Sequence, residues 1–130
     1  MQEPLKIAVL ASRGGSNMQA IIDAIEAGRL AARIVLVISN NSQSGAAERA
    51  RRHGLAFLHI SGATHPGEGA EDAAIRDALR EAGADVVVLA GYMKRIGPAT
   101  LEAFRGRILN IHPALLPRHG GPGMYGIRPH

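Results

Sequence analysis

The sequence predicts an α/β protein built on one open, doubly wound and mostly parallel sheet. Two kinds of segment alternate along the 130 residues, in the order βαβαβαβαβ. The short segments are near-continuous apolar runs rich in Val, Ile and Leu, which is typical of strands that are covered on both faces. The segments between them repeat their apolar residues with the period of an amphipathic helix. This alternation indicates parallel strands joined by crossover helices.

The apolar runs predict five strands: Leu5 to Ala11, Arg33 to Ile38, Leu55 to Ile60, Asp85 to Ala90 and Arg107 to Ile111. The periodic segments predict four helices: Ser16 to Ala27, Ser44 to Arg52, Glu71 to Glu81 and Pro98 to Phe104. Ser16, followed three residues later by Gln19, has the pattern of a capping box. Two segments rich in Gly and Pro, Ser61 to Gly69 and Arg118 to His130, are predicted to be loops. Because a domain rarely ends in such a loop, residues 1–130 are interpreted as a single domain that is incomplete at its C-terminal end, with its last strands missing.

The composition argues against several classes of protein. There is no cysteine, and His53, His59 and His65 lack the spacing of metal ligands, so no metal is predicted. No apolar run is long enough to cross a bilayer and the first residues lack a secretory pattern, which predicts a cytoplasmic protein without a membrane partner. The net charge is +4, and the basic residues are scattered along the sequence apart from the Arg49 to Arg52 cluster. That cluster is interpreted as a solvated helix face, and with few aromatic residues to stack on bases no nucleic-acid partner is predicted.

A glycine-rich turn follows the first predicted strand and opens directly into the first helix. Its sequence is Ser12-Arg13-Gly14-Gly15-Ser16-Asn17. Such a turn presents backbone N–H groups at the positive end of a helix dipole, which suits a phosphate. The spacing fits neither a dinucleotide fingerprint nor a P-loop, and the second strand is followed by Ser39-Asn40-Asn41 instead of an acidic residue. A phosphate site and a tight turn with an ordinary serine cap both remain consistent with these residues.

Asn110 and His112 lie at the end of the fifth predicted strand. They are two residues apart, so on an extended chain their side chains project to the same face. Open α/β sheets bind ligands at the carboxyl ends of their strands. The Asn110 amide can donate a hydrogen bond to an oxyanion, and the His112 imidazole can donate or move a proton. This combination suits acyl transfer. The alternative is a pair of buried polar residues that are satisfied by the backbone.

Four segments resemble the phosphoribosylglycinamide formyltransferase family, and they are spread in order over the whole chain. They are Gly14 to Asn17, Gly91 to Ile96, Asn110 to Pro117 and Gly121 to Gly126. The resemblance implies a Rossmann-like formyltransferase fold. It also implies transfer of a formyl group from 10-formyltetrahydrofolate, as co-substrate, to the amine of glycinamide ribonucleotide in purine biosynthesis. The implied partners are these two small molecules, and the oligomeric state is not predicted.

The resemblance implies a role for each matched residue. The ribonucleotide phosphate would be held by the backbone of Gly15, Ser16 and Asn17, and the folate pocket would be lined by Met93, Lys94, Arg95, Ile96 and Asn110. Asn110 would stabilise the tetrahedral oxyanion, and His112 would protonate or polarise it. Core packing is the alternative for Tyr92 and Met93.

The family's third catalytic residue, an aspartate that pairs with the histidine, has no counterpart here. The last acidic residue is Glu102, eight positions before Asn110. The chain is therefore interpreted as truncated, and a degenerate fragment that binds phosphate or folate without turnover stays an alternative. Two further alternatives are another folate-dependent formyl enzyme of the same fold, such as methionyl-tRNA formyltransferase or formyltetrahydrofolate hydrolase, and a dinucleotide-binding domain.

Overall fold

The computed structural model describes residues 3–111 and 124–127. Within these residues the strands are β1 (Leu5–Ala11), β2 (Ala32–Ser39), β3 (Phe57–His59), β4 (Val86–Ala90), β5 (Ile108–Ile111) and β6 (Met124–Ile127). The helices are α1 (Ser16–Glu26), α2 (Gly45–Arg52), α3 (Ala70–Ala82) and α4 (Pro98–Ala103). The predicted α/β class and the order of its first nine elements are confirmed. Most boundaries move by one or two residues, whereas β3 is three residues long where six were predicted.

The strands form one sheet in the order β3-β2-β1-β4-β5-β6. β1 pairs in parallel with β2 on one side and with β4 on the other, and β5 pairs in parallel with β4. The chain thus winds outward from β1 in one direction and returns to β4 to wind in the other. The predicted doubly wound sheet is confirmed, and its topological switch point lies between β1 and β4.

β6 corrects one prediction, because Met124–Ile127 lies inside the segment Arg118 to His130 that was predicted to be a loop. β6 runs antiparallel to β5, so the sheet is mixed at this edge. The four residues include a glycine and are surrounded by glycines and prolines, so neither length nor periodicity marks them as a strand. Their extended conformation is accompanied by backbone pairing with β5, a tertiary feature that local pattern does not encode.

The sheet is covered on both faces, which accounts for its near-continuous apolar strands. Successive side chains of β1 point to opposite faces: Ile7 and Val9 enter the core under α1 and α2, while Ala8 and Leu10 enter the core under α3 and α4. Five consecutive buried residues in one strand, Ile7 to Ala11, are possible only because helices pack on both sides. Among the described residues, no helix combines the length and the apolar character needed to span a membrane.

The start of α1 differs from the predicted capping box. Its N-cap is Gly15, which has φ 81° and no side chain to offer, and Ser16 is already the first helical residue. The capping-box prediction is therefore wrong, because the left-handed turn at Gly15 places the serine one position too late to cap. α2 does have a serine cap: the Ser44 hydroxyl oxygen accepts a hydrogen bond from the Ala47 N–H at 3.1 Å.

α4 is capped by a side chain from α3. Its own N-cap, Gly97, has no side chain, and the Asp72 carboxylate accepts hydrogen bonds from the N–H groups of Ala99 at 2.7 Å and Thr100 at 3.0 Å. The buried Thr100 hydroxyl donates to the same carboxylate at 2.7 Å. Asp72 thus satisfies orphan donors of α4 and holds this helix beside α3.

Replacing Asp72 by alanine is expected to lower the free energy of unfolding by about 2–4 kcal/mol, since a helix cap and a charge-assisted bond to a buried hydroxyl are both lost. Urea unfolding followed by circular dichroism measures this change. The matched control is Asp77→Ala on the same helix, because Asp77 is exposed and its contact with Arg76 is a surface ion pair that contributes little. An equal loss in both variants would contradict the capping role.

Candidate functional site

Two loops meet at the switch point of the sheet. The loop after β1 carries the glycine turn, and the loop after β4 carries the predicted folate segment. Ser12, which is buried, joins them: its N–H donates to the Gly91 carbonyl oxygen at 3.3 Å, and its hydroxyl accepts from the Met93 N–H at 2.8 Å. Sequence reasoning gave Ser12 no role. The structure makes it the link between the two loops that were predicted as separate sites.

The glycine turn presents backbone N–H groups at the start of α1. The first helical hydrogen bond runs from the Gln19 N–H to the Gly15 carbonyl oxygen at 2.8 Å. Among the described residues, the N–H groups of Gly15, Ser16 and Asn17 donate to no acceptor. Gly15 and Asn17 are buried and Ser16 is exposed. These groups can therefore bind an anion at the positive end of the helix.

The turn packs against the first residues of α2 at a distance that glycine alone permits. A Cβ atom added to Gly45 would lie 2.5 Å from the Gly14 carbonyl oxygen, and one added to Gly15 would lie 2.9 Å from the Cα atom of Ala46. The Ala46 N–H donates to the Arg13 carbonyl oxygen at 3.0 Å. The backbone of the turn thus contacts the backbone of α2 directly, and the conformation of the turn depends on this contact.

Arg49 of α2 also contacts the turn. Its Nε donates to the Gly14 carbonyl oxygen at 2.9 Å, and its Nη1 donates to Oε1 of Gln19 at 2.8 Å. The prediction that Arg49 to Arg52 form a solvated helix face is therefore wrong for Arg49, although Arg51 and Arg52 are exposed. The helical position of Arg49 turns it toward the loop before α1, which is a tertiary contact that the charge pattern does not reveal.

Asn110 and three residues of the predicted folate segment line one cleft of about 420 Å³. Its lining residues are Leu89, Tyr92, Lys94, Arg95, Ile96, Leu101, Ile108 and Asn110. Asn110 is partly buried and lies opposite Leu89 in the register of β5 and β4. The structure therefore brings Asn110 together with the segment that follows the neighbouring strand.

Met93 and Tyr92 differ from one another in their surroundings. The Met93 side chain is 63% exposed and does not line the Asn110 cleft, so core packing, the alternative for this residue, is wrong. Tyr92 is partly buried and packs against the core under α3 and α4. Tyr92 thus combines core packing with a place in the wall of the cleft.

A second cleft of about 460 Å³ adjoins the first, and Tyr92 and Arg95 line both. Its other wall includes the segment His65 to Gly69, so the predicted Ser61 to Gly69 loop borders this region. Lys94 Nζ lies 3.5 Å from Oε1 of Glu71 on α3. This ion pair ties the folate segment to α3 near both clefts.

Burial of the phenol raises the pKa of Tyr92 to about 12 from its ordinary value of 10.0, and the negative charge of Glu71 adds to the effect. Below pH 10 the Tyr92 phenol keeps its proton in both the folded and the unfolded chain, so its titration does not change the free energy of unfolding. As the pH rises from about 10 towards 12, the unfolded chain ionises first and stability is lost. Free energies of unfolding measured across this pH range should fall more steeply for the wild type than for Tyr92→Phe. Equal slopes would contradict the burial of the phenol.

His112 follows the last residue of β5 and lies outside the described residues, so its position relative to Asn110 stays a prediction. His53, His59 and His65 are partly buried at a helix end, on β3 and in the loop after it. Within residues 3–111 and 124–127, no group of three or more His, Asp or Glu side chains is arranged to hold a metal ion.

The chain matches the formyl transferase family over residues 5–130 and belongs to that family. This membership favours the formyltransferase interpretation over a dinucleotide-binding domain, in agreement with the spacing of the glycine turn.

Several of the proteins to which the chain is similar are named phosphoribosylglycinamide formyltransferase. The chain is 44% identical over 126 residues to a chloroplastic phosphoribosylglycinamide formyltransferase of Arabidopsis thaliana, which covers 96% of this chain and 43% of the relative. It is 38% identical over 124 residues to the phosphoribosylglycinamide formyltransferase of Escherichia coli, covering 95% of this chain and 58% of the relative. The crystal structure of glycinamide ribonucleotide transformylase 1 from Symbiobacterium toebii superposes with a TM-score of 0.82 at 44% identity, over 93% of this chain and 57% of that one. The predicted family resemblance is confirmed, and the chain spans about half the length of these relatives.

Proposed function

We propose that this chain carries the glycinamide ribonucleotide-binding and oxyanion-stabilising part of a transferase that moves a formyl group from 10-formyltetrahydrofolate to the amine of glycinamide ribonucleotide, in purine biosynthesis. The observation that carries the proposal is the pairing of two features at one switch point. A turn whose N–H groups at Gly15, Ser16 and Asn17 donate to no acceptor within the described part of the chain follows β1, and a cleft lined by Asn110 lies at the ends of β4 and β5. Ligands of open α/β sheets bind at this position.

The substrate phosphate is assigned to the turn before α1. The N–H groups of Gly15, Ser16 and Asn17 would donate to its oxygens, aided by the dipole of α1. The phosphate anchors the substrate while its amine, at the other end of the molecule, reaches toward β5. Binding energy from a group remote from the reaction is a usual way to position a reactive amine.

The formyl folate is assigned to the cleft that Asn110 lines. Lys94, Arg95 and Ile96 form one side of this cleft, and their backbone follows β4 directly. Met93 was also predicted to bind folate, but its side chain is exposed and does not line this cleft. Lys94, Arg95, Ile96 and Asn110 therefore carry the folate proposal.

The proposed chemistry is direct acyl transfer. The amine nitrogen attacks the formyl carbon, a C–N bond forms, and the carbonyl oxygen becomes an oxyanion. The Asn110 amide would donate to this oxyanion, and His112 would polarise or protonate it. The bond between the formyl carbon and the folate nitrogen then breaks, and the proton lost by the amine passes to that nitrogen. The products are formylglycinamide ribonucleotide and tetrahydrofolate.

The location of the reaction is proposed to be the cytoplasm, as the sequence predicts. The name of the Arabidopsis relative places that protein in the chloroplast. The proposed partners are small molecules alone, and no step of the proposed chemistry calls for a metal ion.

The test is formyl transfer by the 130-residue chain. The chain is mixed with 10-formyltetrahydrofolate and glycinamide ribonucleotide, and release of tetrahydrofolate is followed beside binding of each substrate. The dephosphorylated glycinamide riboside is the matched control, since it keeps the amine and lacks the anchor. The proposal would be supported by turnover with the ribonucleotide together with much weaker binding and slower turnover with the riboside. Binding of both substrates without turnover would favour the alternative of a binding fragment, and no binding of the ribonucleotide would overturn the proposal.

A further inference from the structure

We propose that Arg49 is a positioning residue for the phosphate-binding turn, holding its carbonyl groups away from the anion. The inference rests on the proposed function, because it concerns the same turn. Arg49 belongs to α2, and no ligand role was predicted for it. Its guanidinium donates to the Gly14 carbonyl oxygen in the turn and to the Gln19 side chain in α1.

A backbone turn binds a phosphate only if its N–H groups point to the anion and its carbonyl oxygens point elsewhere. The two carbonyl groups before Gly15 are both engaged by α2. The Arg13 carbonyl accepts from the Ala46 N–H at 3.0 Å, and the Gly14 carbonyl accepts from Arg49 Nε at 2.9 Å. A peptide unit cannot rotate without moving its N–H, so fixing the Gly14 carbonyl also fixes the N–H of Gly15.

The geometry of Arg49 suits this role better than a simple charge would. One planar guanidinium donates at the same time to a backbone oxygen and to the Gln19 side chain, which lies one turn into α1. The fork geometry of arginine is rigid, so it fixes the angle between the turn and the helix. A lysine would supply a similar charge through a single flexible ammonium group.

Arg49 also differs from the other basic residues of its helix. Arg51 and Arg52 are exposed, whereas Arg49 is partly buried, and its Cδ atom lies 3.2 Å from where a Cβ of Gly15 would be. The same helix therefore offers a control that removes a positive charge without touching the turn. This control separates positioning from the general attraction of a basic surface for an anion.

The experiment compares Arg49→Gln, Arg49→Lys and Arg52→Gln in the 130-residue chain. Calorimetry measures the Kd for glycinamide ribonucleotide, for its dephosphorylated riboside and for 10-formyltetrahydrofolate, and thermal unfolding monitors the fold. Where turnover is measurable, kcat and the KM of each substrate are determined separately. We expect Arg49→Gln to raise the Kd for the ribonucleotide about ten-fold and Arg49→Lys about three-fold, with the riboside and the folate little affected. Arg52→Gln is expected to stay close to the wild type.

Equal weakening in Arg49→Gln and Arg52→Gln would overturn the inference, because charge alone would then explain the loss. A parallel rise in the Kd for all three ligands with a lower melting temperature would also overturn it in favour of a purely structural role. In both cases the wild type still binds the ribonucleotide, so the proposed function survives. A wild type that binds the folate but no ribonucleotide would overturn the proposed function and this inference together.

Discussion

Replacing Asn110 by alanine is expected to lower kcat for formyl transfer by about 10²–10³-fold, the usual effect of removing one oxyanion donor. Asn110 is partly buried on β5, and it lines the same cleft as the segment that follows β4. A donor in such a site is held in place before the reaction begins, so its interaction strengthens as charge develops on the oxygen. Before the reaction the formyl oxygen carries no negative charge, so Asn110 contributes less to substrate binding than to the chemical step. The KM values are therefore expected to change less than kcat.

Two more substitutions at the same position sharpen the test. Asn110→Asp keeps the size of the side chain but replaces the donor with a negative charge, so it should be as impaired as the alanine variant. Asn110→Gln keeps the amide and is expected to recover part of the activity. Single-turnover rates with saturating folate isolate the chemical step.

The matched control is Ile108→Val, because Ile108 lies two residues earlier on β5 and lines the same cleft without a donor. Its loss of a methyl group should reduce stability by about 1 kcal/mol and leave the rate of transfer nearly unchanged. A comparable fall in rate for Ile108→Val, or an unchanged rate for Asn110→Ala, would remove Asn110 from the proposed mechanism.

The elements of the fold that the sequence predicts are those with a strong local pattern. β1 and α1 are long, one continuously apolar and the other periodic, and each lies within one residue of its predicted bounds. β3 and β6 are short edge segments, and both depart from prediction. A short edge strand depends on the neighbour with which it pairs, so its own residues predict its bounds poorly.

In the candidate site, too, the residues with a local sequence signature are predictable, and the residues that act through tertiary contacts are not. The glycine turn and Asn110 are predictable because backbone conformation and strand ends leave a local signature. Ser12, Arg49 and Asp72 act through hydrogen bonds that span 81, 35 and 28 residues of sequence, respectively. Which loop or helix each of them contacts is decided by strand order and helix packing, not by adjacent residues. The sequence therefore predicts where the turn and Asn110 lie in the fold, whereas the residues that hold the turn in place are identified only by the structure.

Replacing Gly15 by alanine is expected to weaken binding of glycinamide ribonucleotide by about 100-fold, equivalent to about 2.7 kcal/mol. Two penalties act together at this position. Gly15 has φ 81°, which is unfavourable for any residue with a Cβ atom by about 1–2 kcal/mol. Its added Cβ would also lie 2.9 Å from the Cα atom of Ala46, which is backbone and cannot rotate away. The turn must then shift, and the N–H groups of Ser16 and Asn17 leave the positions that would bind the phosphate.

Two other glycines separate these penalties from a general effect of alanine. Gly14 is adjacent to Gly15 and has no positive φ, and no atom of the described residues lies within 4 Å of an added Cβ, so Gly14→Ala should bind the ribonucleotide nearly as well as the wild type. Gly28 has φ 77° and its added Cβ would meet no atom of residues 3–111 and 124–127 within 4 Å, so Gly28→Ala should lose about 1 kcal/mol of stability and no affinity. Calorimetric titration with the ribonucleotide, beside urea unfolding of each variant, gives both quantities. Because Gly28→Ala carries the backbone strain without the contact, a loss of affinity as large in Gly28→Ala as in Gly15→Ala would mean that affinity follows global stability. A loss confined to Gly15→Ala would instead identify the shape of this turn as the source of phosphate binding.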